Sequence, residues 1–222
     1  MQVDKAAVRQ LRKSDLVWAI TNRCKHGKLY IEHLECLEDQ SPKEKTGFFD
    51  IEASNLKADF GILLSYCIKE LDGKIHRGLI TPEQLRSTTQ DRNLVRQCVA
   101  DLQGFDRIVT YYGARYDIPF IRSRALYNGV TFPKFGAFYH TDVYDWVKRK
   151  LKLHGNRMQF ACDFLDIPSK EHKLIGAVWN RALTGSKKDL QFILQHNMED
   201  VISLEQLWKT LLPFVKIVNS NV

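Results

Sequence analysis

The chain has 222 residues, 44% hydrophobic and 27% charged, which excludes a disordered or fibrous protein and allows one well-buried domain with a small appendage. Its 33 lysines and arginines outnumber 26 acidic residues, and the net charge of +7 favours phosphate-bearing partners without specifying one. There is no apolar run of about 18 residues and no signal-peptide core, and the cysteine count is odd, so a soluble, cytoplasmic, reduced protein is expected.

Residues 1–45 read as a separate N-terminal extension. An amphipathic stretch from Ala6 to Ile20 precedes a segment bearing Cys and His, and a polar link, EDQSPKEKTG, follows. Within CKHGKLYIEHLEC, Cys24, His26, His33 and Cys36 offer four thiol or imidazole ligands in thirteen residues. Zinc accepts such Cys₂His₂ sets, and a structural ion helps a segment too small to build a core. The Cys-x-His spacing is tighter than in most zinc knuckles, and a plain strand over LYIEHLEC is the competing reading.

Residues 46–222 follow an α/β pattern. TGFFDIEAS, GILLSYCIKE and GKIHRGLI read as three strands, with Leu-Asp-Gly as a hairpin turn between the last two. Leu94, Val95, Cys98, Val99 and Leu102 recur at helical spacing, and RIVTYYG is a fourth strand stopped by Gly113. Asp117-Ile118-Pro119 opens a helix that closes at Asn128-Gly129, as early Asp and Pro and terminal Asn-Gly favour. FYHTDV is a fifth strand, and helices are expected over 143–152, 156–165, 174–184 and 187–213. Cys67, Cys98 and Cys162 fall in apolar patterns, as small core residues do.

Asp50 and Glu52 stand two apart on an apolar strand, so both side chains emerge from one face. Two adjacent interior carboxylates cost several kcal/mol unless a cation compensates them, and Mg²⁺ and Mn²⁺ prefer carboxylate oxygen. Taken alone, the pair is equally consistent with a strand end facing solvent. Asp117 lies just beyond the carboxyl end of a strand, where ligands gather in open α/β sheets; taken alone, it is better explained as a plain helix N-cap or first-turn carboxylate. On the last helix, His196 precedes Asp200 by one turn on the same face, and Asp200 abuts an apolar stripe of Leu190, Ile193, Leu194, Val201, Leu204 and Leu207.

In order, FDIE, YYGARYDIPFI and HNMEDVISLEQL resemble the three motifs of DnaQ-like, DEDD-type 3′→5′ exonucleases, across roughly residues 46–214. The chain looks most like their ribonuclease-H-like exonuclease branch, related to the proofreading domains of family B DNA polymerases. The resemblance implies a ribonuclease-H-like mixed sheet flanked by helices. It also implies hydrolysis of single-stranded nucleic acid from a free 3′ end, with DNA favoured over RNA, using two Mg²⁺ or Mn²⁺ ions about 4 Å apart. In that scheme Asp50 bridges the ions, Glu52 and Asp200 complete one, and Asp117 holds the other. One departure stands out. Family members carry Tyr four residues before the last Asp or His five before it, whereas here His196 occupies the Tyr spacing and Gln195 the His spacing. His196 then serves either as general base or to orient the attacking water.

Tyr112, Arg115 and Tyr116 interleave aromatic and basic groups beside Asp117, as substrate stacking and phosphate contact require, and KRKLKLHGNR is a basic run able to track a backbone. The competing functions are a non-catalytic nucleic-acid-binding module with this fold, a structure-specific endonuclease, and an interaction domain whose Cys and His residues bind a partner.

Overall fold

The structure, a computed structural model, describes residues 13–33, 36, 44–169, 175–216 and 220–221. Residues 6–12 of the expected amphipathic stretch, most of the polar link and Leu174 lie outside the described residues. The chain divides into two compact units, residues 1–44 and 45–222.

In the first unit, helix α1 (Lys13–Thr21) is followed by a bridge between Arg23 and Leu29 and a 3₁₀ turn over Tyr30–Glu32. The strand expected over LYIEHLEC is therefore not formed: Tyr30, Ile31 and Glu32 coil into that turn, and Leu34 and Glu35 fall outside the described residues. A small cluster of Ala19, Cys24 and Tyr30 packs against Trp18, Ile31 and Cys36, and the Trp18 and Tyr30 ring centroids are 4.4 Å apart.

The second unit is a mixed sheet of strands β1 (Thr46–Ala53), β2 (Leu63–Glu70), β3 (Ile75–Leu79), β4 (Arg107–Thr110), β5 (Tyr139–Asp142) and β6 (Ser220–Asn221), in the order 3-2-1-4-5-6. β1 pairs antiparallel with β2 and parallel with β4, and β4 parallel with β5. This is the ribonuclease-H-like arrangement expected from the sequence. The short β6, antiparallel to β5, had no signal, because two residues carry no period. Asp72 at φ +53° turns the β2–β3 hairpin at the expected Leu-Asp-Gly.

Helices α2 (Pro82–Arg86), α3 (Arg92–Leu102), α4 (Asp117–Tyr127), α5 (Val143–Lys150), α6 (Met158–Phe164), α7 (Gly176–Leu183) and α8 (Lys187–Leu211) cover the sheet. The sequence reading lacked α2, a single turn fixed by a Thr81–Gln84 capping box. Leu94, Val95, Cys98, Val99 and Leu102 are all buried on α3, as their spacing predicts.

Alternation along β1 divides the interior in two. Phe49 and Ile51 join a core with α3 and α4, while Phe48 joins Cys67, Val109, Val201, Leu204 and Leu207 on the α8 side, its ring 5.6 Å from Trp208. Asp50 and Glu52 share the Phe48 face, so they turn toward α8. The pairing of β1 with β4 stops at Phe48–Val109, whereas that with β2 runs on to Ala53. Past Phe48 the pairing of these parallel strands ends, at the point where strand order reverses, which is the position of the ligand crevice in open α/β sheets.

Beneath α4, Asp91 and Arg124 form a buried ion pair at 2.6 Å. The Asp91 carboxylate also accepts from the Leu63 N–H at 2.8 Å and Asn128 Nδ2 at 3.1 Å, which ties β2, α3 and α4 together. No helix among the described residues is long and apolar enough to cross a membrane.

Candidate active site

Three segments meet at the crevice: the end of β1, the start of α4 and the middle of α8. Glu52, His196 and Asp200 present ligand atoms all within 4.8 Å of one another. His196 Nε2 stands 3.9 Å from Glu52 Oε1 and 3.7 Å from Asp200 Oδ2, longer than direct hydrogen bonds. His196 and Asp200 are buried, and Asp50 and Glu52 half-buried. Gln195 faces the other way and bonds Glu199 across one exposed turn at 2.9 Å. The helix itself thus brings His196, not Gln195, to the acids.

Asp50 and Asp117 lie outside that set of three. Asn197 Nδ2 donates to Asp50 Oδ2 at 2.6 Å, while the Ser65 hydroxyl donates to Asn197 Oδ1 at 3.2 Å. Asn197 is fully buried and so positions Asp50 from α8. Sequence reading passed over it because it is neutral, although its place three residues before Asp200 puts it on the same helix side. Asp117 is the first residue of α4, with Tyr116 at the N-cap position, so it is the first-turn carboxylate of that helix rather than its cap. Its carboxylate reaches across to β1 and accepts the Ile51 N–H at 3.1 Å.

The acids act on shared neighbours. Burial pushes the Asp117 carboxyl up to about 7 against the pull of the Ile51 N–H bond, and the charges of Asp142 and Asp200 add to the rise. Burial raises the Tyr116 hydroxyl, and Asp117, Glu52 and Asp50 raise it further. Burial likewise raises the Cys67 thiol, with Asp50, Glu52 and Asp200 among the charges adding to it. Hard carboxylate oxygens suit Mg²⁺ or Mn²⁺, and a divalent cation would offset both the burial and the neighbouring charges that raise the Asp117 carboxyl.

That proton makes stability depend on pH. A carboxyl raised in the folded state contributes most below its unfolded value, near 4, and its contribution is lost as pH rises through about 7. In metal-free buffer, wild type should lose more stability than Asp117→Asn between about pH 5 and pH 8. Comparing the two proteins removes other groups, such as His140, which burial brings down to about 4. Parallel melting curves for the two proteins across this range would contradict the assignment.

The loop from β4 to α4 is held under tension. Tyr112 adopts φ +67°, rare for an aromatic residue and costing on the order of 1–3 kcal/mol. Asp142 offsets this by accepting the Tyr112 N–H at 2.7 Å and the Ala114 N–H at 3.1 Å. It also caps α5 through the Tyr144 N–H, so this acid organises the loop rather than joining the cluster. A side chain at Gly113 would lie 2.4 Å from Thr110, too close to fit. The exposed Tyr112 ring meets Tyr144 edge-on at 4.9 Å, and the Arg115 guanidinium lies 5.5 Å from each ring. Tyr116 is half-buried against Phe120 in the α3–α4 core, so Tyr112 and Arg115 present the more accessible surface.

The family model of the RNase H superfamily matches residues 47–212. Among solved structures, a family B DNA polymerase from the hyperthermophilic archaeon Pyrobaculum calidifontis is similar in fold, with a TM-score of 0.64 at 20% identity. The match covers 78% of this chain and only 25% of the polymerase chain. A search of curated proteins finds no match. The strand order, the crevice past Phe48 and the family match over most of the chain lead to one assignment: this chain belongs to the RNase H superfamily.

Proposed function

We propose that the chain is a divalent-metal-dependent 3′→5′ exonuclease of the DEDD, DnaQ-like type, acting on single-stranded nucleic acid. One observation carries the reading: Glu52 of β1 and Asp200 of α8, remote in sequence, bring carboxylate oxygens within 4.8 Å of each other and of the buried His196 ring, with Asp50 on the same face of β1 and Asp117 near enough to feel the charge of Asp200. Asp50, Glu52, Asp117 and Asp200 would hold two Mg²⁺ or Mn²⁺ ions. Bound there, the ions would polarise the scissile phosphodiester and offset its charge.

The chain's own residues account for the rest. His196, facing Glu52 and Asp200 at distances a shared water would span, takes the proton of the attacking water. Asn197 fixes the Asp50 carboxylate while the phosphate enters. Tyr112 stacks on a terminal base and Arg115 meets a backbone phosphate, and the exposed Lys148, Arg149, Lys150, Lys152 and Arg157 extend the basic track.

The decisive experiment uses 5′-labelled single strands of DNA and of RNA, each with a free or a blocked 3′ end, with Mg²⁺ or Mn²⁺. The proposal expects a ladder shortening from the 3′ end, absent when that end is blocked. Internal cuts in the blocked strand would make the protein an endonuclease. Tight binding without any cleavage would make it a binding module.

A further inference from the structure

We infer that Cys24, His26, His33 and Cys36 hold one zinc ion and that this ion is the organising centre of the first unit. The inference is independent of the nuclease reading, because none of these residues belongs to the acidic crevice.

Geometry carries the argument. Cys24 Sγ lies 3.4 Å from His33 Nδ1 and 3.9 Å from His26 Nδ1, and Cys36 Sγ lies 3.4 Å from His26 Nδ1. With zinc–sulfur and zinc–nitrogen bonds of about 2.3 and 2.05 Å, a tetrahedron has S···N edges of roughly 3.5 Å. The three separations bracket that edge, and all four ligand atoms lie within 4.8 Å of one another. Each histidine turns its Nδ1 toward a sulfur, and the two rings meet at 4.8 Å, edge to face.

The backbone is folded to present this set. The Cys24 N–H donates to the Lys28 carbonyl at 2.8 Å and the Gly27 N–H to the Cys24 carbonyl at 2.9 Å, closing a tight knuckle over Cys24 and His26. Gly27 sits at φ +75°, which a side chain there would resist. The second pair leaves the 3₁₀ turn: the His33 N–H bonds the Tyr30 carbonyl at 3.1 Å, and the Cys36 N–H bonds the His33 carbonyl at 3.1 Å. The tight Cys-x-His spacing, unusual for a finger, is accommodated because both histidines bind through the ring nitrogen nearer the backbone.

Energetics indicate why an ion is required. Ala19, Cys24 and Tyr30 are the buried apolar residues described in this unit, and one of them is itself a ligand. Among the described residues 13–33 and 36, a core of that size does not sustain the fold alone, and metals are the usual remedy. Two thiols and two imidazoles select zinc over the Mg²⁺ or Mn²⁺ that the carboxylate crevice suits.

The test uses the full chain purified without a histidine tag. Elemental analysis should find about one zinc per chain, and Co²⁺ replacement should give the absorption bands of a tetrahedral thiolate site. In Cys36→Ser and His33→Ala, zinc content should fall at least about tenfold. Hydrogen exchange of the wild type should show residues 13–36 losing protection after zinc chelation while residues 45–216 keep theirs, a readout that does not depend on any variant folding. Asp50→Asn should retain its zinc, which separates this inference from the nuclease reading. A zinc-free protein that gives no tetrahedral cobalt spectrum, or a Cys24–Cys36 disulfide found by mass spectrometry, would overturn it.

Discussion

Asp50→Asn is expected to lower the nuclease rate at least about a thousandfold, roughly 4 kcal/mol of transition-state stabilisation. Asparagine keeps the size and can still pair with Asn197, so the loss isolates the negative charge. That charge matters because Asp50 shares the Phe48 face of β1 with Glu52 and is tied to Asn197 of α8, the helix that carries Asp200. Stability should hold or rise in the absence of metal, since one member of a mutually repelling group is gone. Mn²⁺ should also raise the melting temperature less than in wild type. Asn197→Ala gives a graded comparison: it keeps every carboxylate and releases the bond to Asp50 together with the one from Ser65, so a loss of about ten- to a hundredfold is expected. Steady-state rates on a labelled single strand measure both. An Asp50→Asn enzyme as active as wild type would remove the metal argument.

The largest stability effect is expected at Asp91. Replacing it with alanine leaves the Arg124 guanidinium buried without its carboxylate, a change that costs about 3–5 kcal/mol in comparable cases. Arg124 donates to Asp91 through Nε at 2.8 Å and Nη2 at 2.6 Å, and the same carboxylate serves Leu63 and Asn128. Asp91 occupies the N-cap position of α3, but its side chain makes no capping bond there, so helix capping is not what is lost. Urea denaturation should show the midpoint falling with little change in slope. A loss below about 1 kcal/mol would mean that solvent reaches this pair, contrary to its burial. Because Asp91 and Arg124 bond to each other and to Leu63, Asn128 and Ala58 rather than to the acids, activity per folded molecule should survive at low temperature.

How much of this was legible in the sequence depended on the range of each signal. The strands and the buried stripe of α3 were readable because period-2 and helical patterns are local. Asp50 with Glu52, and His196 with Asp200, were readable as pairs because strand and helix geometry fixes which residues share a face. That Asp117 joins them could be expected only through the family resemblance, since the contact it makes is with Ile51, 66 positions away. The Asp91–Arg124 pair, 33 positions apart, left no pattern at all. Asn197 lacked a charge to attract notice, and the backbone groups that Asp142 holds, those of Tyr112 and Ala114, lie 30 and 28 positions away from it. In LYIEHLEC the alternating apolar residues imitate a strand, while the local backbone bonds wind Tyr30–Glu32 into a 3₁₀ turn.

The tether from Asn197 to Asp50 and Ser65 has a consequence for how the long helix can vary. His196, Asn197 and Asp200 work only in fixed rotational phase, and one inserted residue among them would swing Asp200 by about 100° around the axis. Length changes in α8 are therefore tolerable only outside this one-turn window, where slippage moves the ends and leaves the three side chains in step.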